Sequence, residues 1–273
     1  MKTLRILTLI FGVAVLPLTR VPAQDTPDQL TIPLSNPGKV GSLRVSLING
    51  SLTVRGHNGK DVMVSYAGSG RTPRRENPDG QGLRRIPNNN MGLEVREENN
   101  NVRVSTSAID RDVNLDIRVP RNFSLKLSLV NGGNLTVEEV EGEFELSNVN
   151  GSITLKDVSG SVVANSVNGS VVASFRAVTP DAPMAFSSLN GKIDVTFPPN
   201  VKMLAKMKSD QGEIFSDFDM AFDKTAESPK VTKTSSGSKV YLDNWTYGKI
   251  NGGGPEVLFK NFNGNIYIRK AKK

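Results

Sequence analysis

The chain has 273 residues, 37% hydrophobic and 22% charged, a globular composition in a length that allows one domain or two. It contains no cysteine, which excludes disulfide stapling, Cys–His chemistry and a lipid carried on an N-terminal cysteine. The formal charge is +7, of which +4 remains if Lys2, Arg5 and Arg20 leave with a signal segment, a mild excess that points to acidic glycans or anionic surfaces rather than nucleic acid.

Met1 to Ala23 has the pattern of a secretory signal: a basic start, the apolar run Ile6–Leu18, and Val21-Pro22-Ala23 for cleavage. A retained N-terminal anchor is the alternative. No second apolar stretch approaches span length, so no transmembrane span is expected in the mature chain. Its expected location is periplasmic, cell-surface or secreted. Residues 24–40 form a polar, loosely ordered lead-in. From residue 41 to 273 a single β domain is expected. Leu43, Val45 and Leu47 alternate before Asn49-Gly50, and Leu52 and Val54 alternate after it.

Residues 68–90 interrupt the pattern with three prolines and Arg71, Arg74, Arg75, Arg84 and Arg85. This reads as a long exposed loop, functional or disordered. Alternation resumes at Leu93 and runs cleanly from Val113 to Val119, breaks at Pro120, and restarts from Phe123 to Leu129. A matching strand–proline–strand design spans Ile193 to Met207 around Pro198-Pro199.

Between these two segments a short unit repeats. Gly132, Gly142, Gly151, Gly160 and Gly169 stand nine or ten residues apart, with apolar residues at the second, fourth and seventh places after a glycine. Examples are Phe144, Leu146 and Val149, then Ile153, Leu155 and Val158, then Val162, Ala164 and Val167. The seventh-place residue is expected to turn inward past a corner. Asn-Gly closes one half-unit and Ser-Gly or Glu-Gly the next, so the full period is eighteen or nineteen residues. This favours an all-β parallel solenoid with rungs of about 18–22 residues, over the antiparallel meander that Asn-Gly alone would suggest. The final unit, Asn263 to Ile268, keeps the rule, so the stack is expected to continue to the C-terminus, where the tail Arg269 to Lys273 keeps the last strand soluble.

The blocks LDIRVPRNFSLKLSLVNGGNLTVEEVEGEFELSNVNGSITLKDVSGSVVANSVNGSV and FSSLNGKIDVTFPPNVKMLAKMKSDQGEIFSDFD resemble the bacterial putative-adhesin β-strand-repeat family, related to the toast-rack domains of envelope-stress systems. The resemblance covers most of Leu43 to Arg269. It implies an exported β-solenoid of unassigned activity, sometimes proposed as an adhesin, and supplies no catalytic motif. Asn-Gly often stands here where relatives have Ser-Gly or Thr-Gly, and the arginine-rich loop is a local elaboration.

Few residues suggest chemistry. His57, the only histidine, lies beside Asn58-Gly59 and reads as a turn residue rather than a triad member. Asp217, Asp219 and Asp223 would place two carboxylates on one strand face, suited to calcium or paired acid catalysis but more simply outward charges guarding an edge. Glu138, Glu139, Glu141, Glu143 and Glu145 read as a solvated face. Asn131, Asn150, Asn168 and Asn190 are expected to form a stacked structural ladder at equivalent turns. The five loop arginines are the candidate binding residues, for carboxylate, sulfate or phosphate groups. No cofactor or metal is expected. The expectation is a non-enzymatic adhesin-like or scaffold protein contacting an anionic polysaccharide or an envelope protein. Alternatives are an accessory of envelope-stress signalling and, behind it, a polysaccharide-active β-helix enzyme.

Overall fold

The computed structural model describes residues 29–68, 92–107, 112–222, 230–234, 237–241 and 245–272. All regular structure among them is strand. In chain order these are β1 (Gln29–Pro33), β2 (Gly41–His57), β3 (Asp61–Gly68), β4 (Leu93–Glu98), β5 (Asn101–Thr106), β6 (Val113–Pro120) and β7 (Phe123–Glu138). Next come β8 (Glu141–Asn148), β9 (Ile153–Asn168), β10 (Val171–Val178), β11 (Met184–Asn190), β12 (Ile193–Phe197), β13 (Met203–Gln211) and β14 (Ile214–Ser216). The last are β15 (Ala221–Phe222), β16 (Lys230–Thr234), β17 (Gly237–Tyr241), β18 (Thr246–Ile250), β19 (Glu256–Asn263) and β20 (Ile266–Lys270).

The strands stack as a parallel column with two facing sheets. Each tier runs along sheet I and returns along sheet II, and six of them turn at an Asn-Gly corner, at Asn49, Asn131, Asn150, Asn168, Asn190 and Asn263. The long strands β2, β7 and β9 bend through a corner and belong to both sheets. Alternate side chains enter the space between the sheets, so Leu125, Leu127, Leu135 and Val137 of β7 are buried while Lys126 is exposed. Towards the C-terminal tiers the filling becomes aromatic. Phe175 stacks on Phe197 and Phe186 on Phe259, with centroids 5.2 and 5.5 Å apart, and edge contacts join the pairs.

The eight tiers do not follow the chain. Their order in space is β5/β6, then β2, then β7, then β8 with the first half of β9, then the rest of β9 with β10, then β11/β12, then β19/β20, and last β13/β14. From Phe123 to Phe197 the stacking is sequential, as the repeat predicts. At each end one tier from a remote part of the chain is inserted. β2 lies between β5/β6 and β7, and β19/β20 lies between β11/β12 and β13/β14. The last unit belongs to the stack, as expected, but it fills the next-to-last tier rather than the last.

The two strand–proline–strand segments are where the chain climbs over an inserted tier. Arg121 and Asn122 carry it past β2, and residues 198–202 past β19. Residues in or next to the inserted tier in the chain grip each crossing. Arg121 N donates to His57 O at 3.1 Å, and Arg121 Nε to Asn58 Oδ1 at 2.8 Å. At the other end Asn251 Nδ2 donates to the carbonyls of Pro199 and Val201, at 3.0 and 2.7 Å.

Antiparallel strands cover the ends of the column. β3 and then β1 extend sheet II beyond β6, and β4 extends sheet I beyond β5. β18 and β15 extend sheet I beyond β13. Such short additions shield a parallel edge from recruiting foreign strands. The polar lead-in accordingly contains an ordered strand, β1, rather than loose chain. β16 and β17 pair with each other as a separate antiparallel hairpin.

Candidate interaction surfaces

The Asn-Gly corner is built from three parallel rows. On the outside, Asn190 Nδ2 donates to Asn168 Oδ1 at 2.9 Å, Asn168 Nδ2 to Asn150 Oδ1 at 2.9 Å, and Asn150 Nδ2 to Asn131 Oδ1 at 3.4 Å. Asn49 and Asn263 continue the register at the two ends. Asn150 and Asn168 each spend one donor and one acceptor on the ladder, Asn190 a donor and Asn131 an acceptor, and an amide has two of each to give.

On the inside, the residue two places before each corner position closes the preceding tier. Asn148 donates to Gly133 O, Ser166 to Gly151 O, Ser188 to Gly169 O, Asn261 to Gly191 O and Ser209 to Gly264 O, all within 2.7–3.0 Å. These side chains satisfy carbonyls that the bend removes from the sheet ladder. The third row is glycine. A Cβ built at Gly169 would lie 2.1 Å from Gly151 O, and one at Gly151 would lie 2.1 Å from Gly133 O, so the corners nest too closely for any side chain.

This arrangement overturns the inward reading of the seventh-place residue at the Asn-Gly corner. Val158, at the other corner, is buried. Val149 and Val167 point outward, because the inward place is taken by Asn148 and Ser166. With Ile48, Val130, Leu189 and Phe262 they form a line of apolar side chains, each 37–46% exposed, on six successive tiers. At a strand spacing of about 4.8 Å the line is about 24 Å long. Beside it on sheet I lie Ser46, Ser128, Ser147, Asn165 and Ser187, with Lys260 in the same register on the sixth tier. The signal was present in the sequence as an apolar residue directly before Asn-Gly: Ile48, Val130, Val149, Val167, Leu189 and Phe262.

The other candidate residues are mostly held in local structure. Arg71, Arg74, Arg75, Arg84 and Arg85 lie outside the described residues, as do Met1 to Ala23 and Asp223. Asp217 and Asp219 follow β14 in a bend rather than sharing a strand face. Among the described residues no three His, Asp or Glu side chains converge on a common point. The His57 ring spans its own turn, accepting from Gly59 N through Nδ1 at 3.0 Å and meeting Asp61 O through Nε2 at 2.8 Å.

The acidic run is substantially paired across tiers. Glu138 bridges Lys156 and Arg55, and their hydrogen bonds hold its carboxyl below the usual range. Glu139 pairs with Arg121 and Glu145 with Lys126. On sheet II burial pushes the Asp194 carboxyl up, but hydrogen bonds from Arg269 and Lys192 outweigh it and hold the group below its ordinary value.

Three solved structures are similar over most of the chain. A putative cell adhesion protein from Clostridium sporogenes is 10% identical, with TM-score 0.42, over 90% of this chain and 100% of its own. A putative adhesin from Bacteroides fragilis is 10% identical, with TM-score 0.25, over 91% and 98%. A putative adhesin from Parabacteroides merdae is 5% identical, with TM-score 0.30, over 91% and 97%. No curated protein matches the chain. Among the described residues no helix is long and apolar enough to cross a membrane. Residues 130–251, which run from the β7 corner to the end of β18, match the family model described as Toastrack DUF4097.

Proposed function

We propose that the protein is an exported, non-enzymatic, adhesin-like module that binds an extended envelope polysaccharide along its Asn-Gly corner. The observation that carries this reading is the exposed apolar line on six tiers, bordered by an amide row and a hydroxyl-rich row. A column that only had to fold would not need apolar side chains at these outward positions. The line is one residue wide, too narrow for the roughly 800 Å² per partner of a stable protein interface. It suits a chain lying along the column axis. Sugars present apolar C–H faces and hydroxyl groups together, and the corner offers apolar contact flanked by amide donors and acceptors at every tier. The signal pattern of Met1 to Ala23 supports export.

The test is co-sedimentation with insoluble, uncharged envelope polysaccharide. Val149→Asp with Val167→Asp places charge in the line without touching the core. We expect at least a tenfold loss of binding with an unchanged far-UV circular dichroism spectrum. Undiminished binding by this double variant would remove the corner from the account.

A further inference from the structure

The tier order assembles a second surface, which no stretch of sequence displays. Arg96 of β4, Arg103 of β5, Arg44 of β2 and Lys126 of β7 lie directly opposite one another on neighbouring strands. All four point outward from sheet I. Like charges facing each other across strands are destabilising, and here they do so in three successive pairings. The row is neutralised only at its ends. Arg96 meets Glu98 at 3.8 Å, and Lys126 meets Glu145 at 2.5 Å. Arg103 and Arg44, in the middle, have no carboxylate partner among the described residues. Beside them Ser42 Oγ donates to Asn101 Oδ1 at 2.6 Å. Ser42, Asn101, Arg44, Arg96 and Arg103 line an open cleft of about 480 Å³.

We infer that this row is a binding site for an anionic polysaccharide whose carboxylate or sulfate groups recur at about the strand spacing, roughly 4.8 Å. Two adjacent guanidinium groups without counter-charges can each grip an oxyanion in a bidentate manner. Ser42 and Asn101 supply hydrogen bonds to sugar hydroxyls between them. The column axis fixes the direction of the bound chain. Glu98 and Glu145 bound the site at either end and restrict it to a short run of anionic groups. This site lies on the face of sheet I, apart from the corner line. It deepens the polysaccharide-binding reading by naming a charged ligand class, but it does not depend on the corner.

The experiment measures binding of the full chain to polygalacturonate, dextran sulfate, unmodified dextran and single-stranded DNA by affinity electrophoresis at low and moderate salt. The two anionic glycans separate carboxylate from sulfate recognition. We expect at least one of them to bind with an affinity that falls as salt rises, and Arg44→Ser with Arg103→Ser to weaken it tenfold or more. The Val149→Asp, Val167→Asp protein should keep this binding, so failure of the corner and failure of the row give different results. Because the substitutions relieve repulsion, the Arg44→Ser, Arg103→Ser protein should melt no lower than the unmodified protein. Anionic-glycan binding that is absent, or unchanged by the two serines, would overturn the inference. So would equal affinity for dextran or tighter binding of DNA, or a fall in melting temperature on relieving the row.

Discussion

Ending the chain at Pro255 should not shorten the column by one tier; it should abolish the cooperative unfolding of the C-terminal half. β19 and β20 lie between β11/β12 and β13/β14, so their loss opens a gap inside the stack. Val257, Phe259, Ile266 and Ile268 are all fully or nearly fully buried. Their removal forfeits about 6–12 kcal/mol at roughly 1.5–3 kcal/mol per side chain. That is comparable to the 5–15 kcal/mol that holds a typical domain together. The loss also strips parallel partners from four strands and removes the ring that stacks on Phe186. Removing β1 should be mild by contrast, because it is a largely exposed antiparallel edge strand. Urea unfolding followed by circular dichroism distinguishes the two truncations. A loss of less than about 2 kcal/mol for the C-terminal deletion would mean that the tier is peripheral.

The second large effect is at the glycine corners. A Cβ at Gly160 would lie 1.8 Å from Gly142 O, and the residue has φ +128°. Backbone crowding and an unfavourable dihedral act together there, since the adjoining tier cannot withdraw without breaking its own hydrogen bonds. We expect Gly160→Ala to destabilise by about 3 kcal/mol or more. Gly132 is the control. Its φ is +88°, but nothing lies within 4 Å of a Cβ built there. Gly132→Ala should therefore show only the dihedral strain, about 1 kcal/mol. Equal penalties at the two sites, measured by chemical denaturation, would mean that tier nesting contributes nothing.

The sequence revealed the local half of this architecture. Alternation at Phe144, Leu146, Ile153 and Leu155 defined both inner faces, and the paired spelling of the glycines gave the tier period. The same regularity concealed the order of tiers. Segments with the same apolar alternation can pair in many orders, and the choice depends on contacts between residues as distant as Ser187 and Lys260. The clue was present in Arg121-Asn122 and in Pro198 to Lys202, which interrupt the strands where the chain must climb an extra tier. The binding surfaces were hidden for related reasons. Val149 and Val167 obey a spacing that points inward at one corner and outward at the other, and the buried amide of Asn148 decides between them. Arg96, Arg103, Arg44 and Lys126 come from four strands and become a row only through inter-strand register. The arginine-rich loop attracted notice because its charges are contiguous in sequence, whereas these are contiguous in space.

The insertion of β19 into the column can be tested directly, because the chain has no cysteine to interfere. Ser187 of β11 faces Lys260 of β19, and Lys260 faces Lys208 of β13. A disulfide needs Cα atoms within about 7 Å, which one strand spacing of about 4.8 Å satisfies and two do not. Under mild oxidation the Ser187→Cys, Lys260→Cys protein should close an intramolecular disulfide, read by its mobility on a non-reducing gel, and the Ser187→Cys, Lys208→Cys protein should remain reduced. The reverse result, closure between positions 187 and 208 only, would show tiers stacked in chain order and would contradict the interleaved column.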